Sequence, residues 1–247
     1  MKGILLTAGL GKRLQPITYF INKNLLPVGD KPMFFRPLQT LIDSGIKEIA
    51  IVIGPPHGYQ ITETLKYLPI PKDIDIVCIN QPKPLGMSDA IGKCRSFANN
   101  ESIIVVGADN IFGGNFTKEI NTFIDGAISF LRYVPDPGRF GVPIYNSKNR
   151  LIKIKEKPKH PKTNWIVSGP IILDNKAFNF IDKLQPSPRG ELEIADLYSF
   201  YIKENKLKLF KRKDYWIDAG TFESFVQANN YFLKKIKHNH NHEKKTN

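Results

Sequence analysis

The chain has 247 residues, two cysteines and a formal net charge of +13, and this length suffices for one large α/β domain with a substantial core. Its apolar runs fall short of the roughly 18 residues of a membrane span, and Cys78 and Cys94 lack metal-ligand spacing, so we expect a cytoplasmic protein with reduced thiols and no membrane partner. The basic charge suits polyanionic substrates, whereas the scattered lysines, not interleaved with aromatic residues, argue against nucleic-acid binding.

The first half of the chain alternates between two kinds of segment. Apolar, β-branched runs have the composition of strands buried on both faces of a parallel sheet: GILLTAG, EIAIVIG, IDIVCIN and SIIVVGAD. Segments with apolar residues at helical spacing lie between them: MFFRPLQTLIDSG, for which Gly45 is a helix stop, YQITETLKYL and MSDAIGKCRSFA. This alternation predicts a βαβαβ arrangement with right-handed connections.

From about residue 127 the pattern changes to strands with short connections: AISFLRYV, GVPIYN, RLIKIKEK and WIVSGPIIL. Two helices follow, then KLKLFKRKDYWIDAG and an amphipathic helix, TFESFVQANNYFLKKIK. The order predicts an α/β, doubly wound, mostly parallel mixed sheet whose second half is partly antiparallel. We expect one domain over residues 1–232, and a basic helix end with a disordered tail over residues 233–247.

Residues 6–18, LTAGLGKRLQPIT, follow the first strand and have the composition of an anion-binding loop. Gly9 and Gly11 would let backbone N–H groups close on an anion, and Lys12 and Arg13 supply positive charge. The spacing excludes two familiar phosphate loops, because Leu14 replaces the third glycine of the dinucleotide fingerprint and Arg13 replaces the Ser or Thr of a P-loop. From the residues alone, a surface turn with two solvated cations remains the alternative.

Two acidic residues end strand-like runs: Asp109 in SIIVVGADN and Asp218 in YWIDAGT. Such a residue is either a helix N-cap or a metal ligand. Ligand sites of α/β sheets lie at the carboxyl ends of the strands, and Mg²⁺ is held by one or two carboxylates together with phosphate oxygens. Because two such aspartates occur in one chain with a triphosphate-like loop, we interpret both as metal ligands rather than helix N-caps.

LTAGLGKRLQP resembles the opening motif of the sugar-phosphate nucleotidyltransferases, L-A-G-G-x-G-T-R-L-x-P, and NKNLLPVGDKPM resembles their Ser-Lys-x-Leu-Leu-Pro segment. Further matches follow in the family's order up to about residue 232: QPKPLGMSDAI, VVGADNIFGG, RFGVPIY, KEKPKHPKTNWIVSG, PSPRGELEIADL and YWIDAGT. The last two are most similar to glucose-1-phosphate thymidylyltransferases, in a short form without the C-terminal regulatory extension. The resemblance implies a Rossmann-like nucleotidyltransferase fold with a partly antiparallel sugar-binding half.

The resemblance also implies roles for individual residues. Arg13, Lys23 and Lys157 match catalytic cations, and Asp109 and Asp218 match the ligands of Mg²⁺. The positions that match the nucleotide site are Ala8, Gly9, Gly11, Lys12, Arg13, Lys23, Gln81, Gly86 and Asp109. Those that match the sugar site are Asn110, Gly141, Glu156, Lys157 and Val167. From the residues alone, Gly141 as a turn, Val167 as core and Glu156 with Lys157 as a solvated pair stay open.

The implied reaction transfers a nucleotidyl group from dTTP to glucose 1-phosphate, forming dTDP-glucose and pyrophosphate. The alternatives are a uridylyltransferase that uses UTP and a non-catalytic, sugar-nucleotide-binding regulatory subunit. The chain departs from the family pattern at Ala8, where the family has glycine, at Lys12, where it has threonine, and at Ala108, where it has glycine. These departures leave the nucleotide preference open, and the sequence also leaves homo-oligomer formation open.

Overall fold

A computed structural model describes the backbone of residues 1–246 and the side chains of residues 1–234. Its strands are β1 (Lys2–Leu6), β2 (Pro27–Val28), β3 (Lys31–Pro32), β4 (Glu48–Ile53), β5 (Asp75–Asn80), β6 (Ile103–Gly107), β7 (Asn110–Phe112), β8 (Ala127–Tyr133), β9 (Gly141–Tyr145), β10 (Leu151–Glu156), β11 (Trp165–Leu173), β12 (Leu207–Lys211) and β13 (Trp216–Asp218). Its helices are α1 (Phe35–Asp43), α2 (Gly58–Leu65), α3 (Met87–Lys93), α4 (Arg95–Ala98), α5 (Thr117–Asn121), α6 (Lys176–Ile181), α7 (Ile194–Lys203) and α8 (Phe222–Thr246).

One nine-stranded sheet forms the centre of the protein, with the strand order β10-β9-β11-β6-β1-β4-β5. Strand β8 also pairs with β11, and β12 pairs in parallel with β8. Strand β1 pairs in parallel with β4 and β6, and β4 pairs in parallel with β5. Strand β11 is antiparallel to β6, β8 and β9, and β10 is antiparallel to β9. The structure therefore confirms a mixed sheet with a parallel first half and a largely antiparallel second half.

Successive residues of β1 belong to different cores. Leu5 packs on one face with residues of α1 and α2, and Ile4 packs on the other with residues of α3, α6 and α7. Both side chains are fully buried. Helices therefore cover both faces of the sheet, which confirms the predicted doubly wound architecture.

Strand β5 differs from the prediction that it is buried on both faces. It is the edge strand beyond β4, where Val77 is 44% exposed and Cys78 is also exposed. An edge strand has a neighbour on one side alone, and apolar composition cannot distinguish that position from a central one. Cys94, in contrast, is buried, and neither cysteine is in a disulfide.

Two predicted segments divide in the structure. MSDAIGKCRSFA forms α3 and α4, which meet at Cys94. KLKLFKRKDYWIDAG forms β12, which joins the main sheet, and β13, which pairs with β7 in a separate two-stranded ribbon. Gly45 adopts a φ of +88° just after α1, as expected of a helix stop.

The last helix, α8, runs past the end that its amphipathic pattern predicts. Side chains beyond Lys234 lie outside the described residues, so the predicted boundary at residue 232 and the tail over residues 233–247 stay predictions. No helix in the described part of the chain combines the length and the apolar character that crossing a membrane requires.

Candidate active site

The glycine loop after β1 closes around the side chain of Lys23. Gly11 has a φ of +64°, and a Cβ atom there would lie 2.9 Å from Thr18 Cγ2 and 3.0 Å from Lys23 Cβ. Gly9 leaves its space open above Lys23, whose Nζ would lie 3.6 Å from a Cβ atom at that position. The hydroxyl of Thr18 donates to the Gly11 carbonyl at 3.0 Å. The loop therefore has a defined conformation, with a partly buried lysine beneath exposed backbone.

The β7–β13 ribbon brings the two aspartates together. It sets Asn110 opposite Asp218, and the Ala219 N–H donates to the Asp109 carbonyl at 2.8 Å. Neither aspartate caps a helix, since Asp109 is followed by β7 and the Thr221 hydroxyl accepts the Ser224 N–H at the start of α8. The N-cap alternative is therefore wrong for both.

A hydrogen-bonded chain orients the first carboxylate. The indole N–H of Trp216 donates to Asn110 Oδ1 at 3.0 Å, which leaves the Asn110 amide nitrogen to donate to Asp109 Oδ1 at 2.9 Å. Lys23 forms an ion pair with the other oxygen of Asp109. Both oxygens of this carboxylate are thus held by neighbouring side chains.

Cations surround the carboxylate pair. The Nη2 atoms of Arg13 and Arg139 each lie 3.8 Å from Asp218 Oδ1. Burial alone would raise the pKa of Asp109, but the charge of Lys23 and hydrogen bonds from Lys23 and Asn110 hold that pKa below its usual value. Burial, followed by the negative charge of Asp109, raises the pKa of Asp218. The two carboxylates repel each other, so a further cation between them would be stabilised.

Gly220 lies where the two carboxylates and the Arg13 guanidinium converge. A Cβ atom on Gly220 would lie 2.8 Å from Asp218 Oδ1, 3.2 Å from Asp109 Oδ2 and 2.8 Å from Arg13 Nη2. Both carboxylates therefore face one small volume, and carboxylate oxygens are the donors that hard divalent cations prefer. The described residues include no third His, Cys, Asp or Glu in this group. The side chains fit a divalent ion that takes its remaining ligands from phosphate oxygens and water.

A cleft of about 1340 Å³ lies beside the carboxylate pair and is lined by Arg13, Arg139, Lys157 and Asp218, among others. Lys157 has a φ of +41°, a strained conformation for a residue other than glycine, and its N–H donates to the Phe140 carbonyl at 3.0 Å. This hydrogen bond connects the backbone of Lys157 to the loop that carries Arg139. Two cations from the antiparallel half therefore enter the cleft together.

Three of the predicted sugar-site residues, Gly141, Glu156 and Val167, lie on adjacent strands, whereas Asn110 lies in the separate β7–β13 ribbon. Strand pairing sets Gly141 opposite both Glu156 and Val167, and a Cβ atom on Gly141 would lie 3.5 Å from Glu156 Oε2. Burial raises the pKa of Glu156, whose Oε1 lies 3.7 Å from Lys157 Nζ. The Glu156 side chain is only 22% exposed, so a fully solvated pair is wrong. Gly141 begins β9 rather than forming a turn.

The predicted base-binding residues form a separate group next to the glycine loop. A Cβ atom on Gly54 would lie 3.0 Å from both Ala8 Cβ and the Gln81 carbonyl, so Ala8 and Gln81 are close neighbours. The Gln81 amide nitrogen donates to the Gly86 carbonyl at 3.1 Å. Gly86 has a φ of +101°, and any larger residue there would meet the backbone of Leu192 at 2.7 Å. These contacts assemble a compact wall from distant parts of the chain.

One predicted residue stands apart from the rest, and three residues that were not predicted contact the predicted ones. Lys12 is exposed, and its side chain has no hydrogen bond or ion pair within the described residues. Sequence reasoning missed Arg139, Gly54 and Gly220, which touch the predicted residues in the structure. Two of them lie within motifs already noted, RFGVPIY and YWIDAGT, where an arginine before a strand and a glycine after an aspartate were the available signals.

Residues 2–235 of the chain match the nucleotidyl transferase family. The chain belongs to this family. A glucose-1-phosphate thymidylyltransferase of Neisseria meningitidis is 39% identical over 236 residues, which are 92% of this chain and 81% of that relative. The family match and this relative show that the present chain is a nucleotidyltransferase enzyme. The family generally uses a divalent metal ion.

Solved structures of nucleotidyl transferases share this fold. A Bacillus anthracis protein described as a glucose-1-phosphate thymidylyltransferase, in complex with sucrose, is 36% identical, covers 94% of this chain and 95% of its own, and has a TM-score of 0.84. A UDP-glucose pyrophosphorylase complexed with UDP-glucose has a TM-score of 0.82 at 22% identity, covering 95% of this chain and 98% of its own. At that identity the second likeness shows the fold alone.

We expect Asp109→Asn and Asp218→Asn each to remove most turnover, a loss of about 3 kcal/mol or more in transition-state stabilisation, because each removes one negative charge from the candidate cation site. Steady-state rates of pyrophosphate release, together with circular dichroism to verify folding, provide the measurement. Near-normal rates in both folded variants would show that the carboxylates are not ligands.

We also expect Gly220→Ala to lower kcat at least about tenfold, equivalent to about 1.4 kcal/mol, because the added methyl group occupies the space between the carboxylates. Gly92→Ala is the matched control, since a Cβ atom there meets only the Ile181 methyl at 3.2 Å, away from the cleft. Steady-state kinetics and thermal unfolding, measured for both variants, separate a loss of activity from a loss of stability. Equal activities of the two variants would contradict a cation site beside Gly220.

Proposed function

We propose that this enzyme transfers a nucleotidyl group from dTTP to glucose 1-phosphate and releases pyrophosphate, with Mg²⁺ as its metal ion. The observation that carries the proposal is the arrangement around Gly220, where Asp109, Asp218 and Arg13 face one volume. Lys23 adjoins this volume through its ion pair with Asp109. The names of the relatives, at 31–39% identity, support the same substrates.

In this reaction an oxygen of the sugar phosphate attacks the α-phosphorus of the triphosphate, and the bond from that phosphorus to pyrophosphate breaks. No covalent nucleophile from the protein is required, so the protein aligns two polyanions and offsets their charge. Asp109 and Asp218 would hold Mg²⁺, which when bound neutralises charge on the phosphates. Arg13 and Lys23 would bind the triphosphate, and Lys157 the sugar phosphate.

The sugar would bind over the wall formed by β9, β10 and β11. Gly141 leaves room beside Glu156, whose carboxylate would accept hydrogen bonds from sugar hydroxyls. Val167, opposite Gly141, would provide an apolar contact for the ring. Lys157 follows Glu156 directly, so the groups for the hydroxyls and for the phosphate are adjacent along the chain.

UTP is the second candidate nucleotide because of how Gln81 is placed. Its amide nitrogen is engaged within the protein, which leaves Oε1 to accept the imide N–H that thymine and uracil share. The bases differ by one methyl group, whose burial contributes only about 0.8 kcal/mol. A non-catalytic subunit is disfavoured, since Arg13, Lys23, Asp109, Lys157 and Asp218 are all present around the cleft or the carboxylate pair. The reduced cysteines are consistent with a cytoplasmic enzyme.

Arg13→Ala should chiefly raise the KM for the triphosphate, and Lys157→Ala should chiefly raise the KM for the sugar phosphate, because Arg13 follows β1 of the parallel half and Lys157 follows β10 of the antiparallel half. Initial rates measured while each substrate is varied separately give the KM of each variant for each substrate. If both variants showed the same defect toward both substrates, the two assignments would be wrong.

Pyrophosphate release from dTTP, UTP, ATP and GTP, each with glucose 1-phosphate, tests the proposed function itself. We expect dTTP and UTP to be used with efficiencies within about two orders of magnitude, because Gln81 faces their common edge. ATP and GTP should be rejected more strongly, since a purine exceeds a pyrimidine-sized slot. Comparable use of ATP and dTTP in competition would overturn the substrate class.

A further inference from the structure

Gln81 is the most deeply buried polar member of the predicted base site, with 4% of its surface exposed. A glutamine amide has one donor end and one acceptor end of nearly the same shape. If it turns by half a rotation about its last bond, it presents the opposite hydrogen-bonding character to a ligand. Any use of Gln81 to distinguish bases therefore requires that this rotation be prevented.

Two fixed acceptors prevent it. Gln81 Nε2 donates to Asp89 Oδ2 at 2.8 Å and to the Gly86 carbonyl at 3.1 Å. A rotated amide would set Oε1 against this carboxylate and this carbonyl, with no proton between the oxygens. Oε1 receives no hydrogen bond from the residues that the structure describes, so it is the end that remains for a base.

Asp89 is itself held in place. It lies in the first turn of α3, where a negative charge is favourable, and is 9% exposed. Its other oxygen, Oδ1, lies 3.4 Å from Lys93 Nζ. The Gly86 carbonyl also accepts the Ala90 N–H at 3.2 Å, so the second acceptor is part of the same helix start. The start of α3 thus fixes which end of the Gln81 amide faces outward.

We infer, on the basis of the proposed function, that Asp89 is a positioning residue that makes Gln81 an obligatory acceptor and thereby selects uracil-type bases over cytosine. Thymine and uracil present a ring N–H at position 3, which Oε1 accepts. Cytosine presents a bare ring nitrogen there, so two acceptors would face each other. A glutamine free to rotate would donate to cytosine instead and would lose this selection.

The test compares kcat/KM for dTTP, dUTP and dCTP with glucose 1-phosphate, since these nucleotides share one sugar and differ only in the base. In Asp89→Asn the new amide can donate to a rotated Gln81, and the Gly86 carbonyl that still opposes the rotation keeps its hydrogen bond from the Ala90 N–H, so the dTTP-to-dCTP ratio should fall at least about tenfold. The dTTP-to-dUTP ratio should stay unchanged, because both bases carry the same N–H. Asp182→Asn is the matched control, as Asp182 is an exposed partner of Arg95 at 2.6 Å, and it should leave both ratios unchanged.

A double-mutant cycle separates positioning from a general structural effect. Gln81→Ala should also lower the dTTP-to-dCTP ratio, and adding Asp89→Asn to Gln81→Ala should produce no further fall, because Asp89 acts through Gln81. A ratio in Asp89→Asn within twofold of the wild-type ratio would overturn the inference, as would an equal fall with and without Gln81. Wild-type turnover of dTTP reports separately on the proposed function, because an enzyme that uses dTTP and shows an unchanged ratio in Asp89→Asn contradicts the inference alone.

Discussion

The candidate active site depends on holding two like charges, Asp109 and Asp218, against the same small volume. Their repulsion is offset by Lys23 on one side and by Arg13 and Arg139 on the other. The site therefore combines an acidic centre with a basic surround, and such a combination can bind a divalent cation and polyphosphates at once. The same constraint explains the glycine at position 220, because any side chain there would enter the volume between the carboxylates.

The fold separates the functions that meet at this centre. The parallel half delivers the glycine loop, Gln81 and Asp109 at or after the ends of its strands, as expected for ligand sites in α/β sheets. The antiparallel half delivers Glu156 and Lys157. The β7–β13 ribbon, whose strands follow β6 and β12 along the chain, brings Asp109 and Asp218 together. Because the main sheet is continuous across β6 and β11, the two halves are connected through paired strands rather than through a linker.

The sequence predicted most elements because their periodicity and composition are local properties. It also predicted that Asp109 and Asp218 act together, since each ends a strand-like run and two carboxylates suit one metal ion. It could not predict that β13 leaves the main sheet to pair with β7, because that pairing joins segments far apart in the chain. The edge position of β5 was missed for a similar reason, as an edge strand and a central strand can have the same apolar composition. The orientation of the Gln81 amide depends on Asp89 and the Gly86 carbonyl, whose approach only the tertiary structure shows.

The central claim is that both aspartates bind one divalent cation, and anomalous diffraction tests it most directly. Crystals grown with Mn²⁺ and a non-hydrolysable analogue of dTTP would locate the metal without relying on activity. The account predicts a manganese peak bonded by carboxylate oxygens of both Asp109 and Asp218 and by phosphate oxygens of the analogue. A peak bonded by the phosphates alone, with the Lys23–Asp109 ion pair intact and Asp218 turned away, would contradict it.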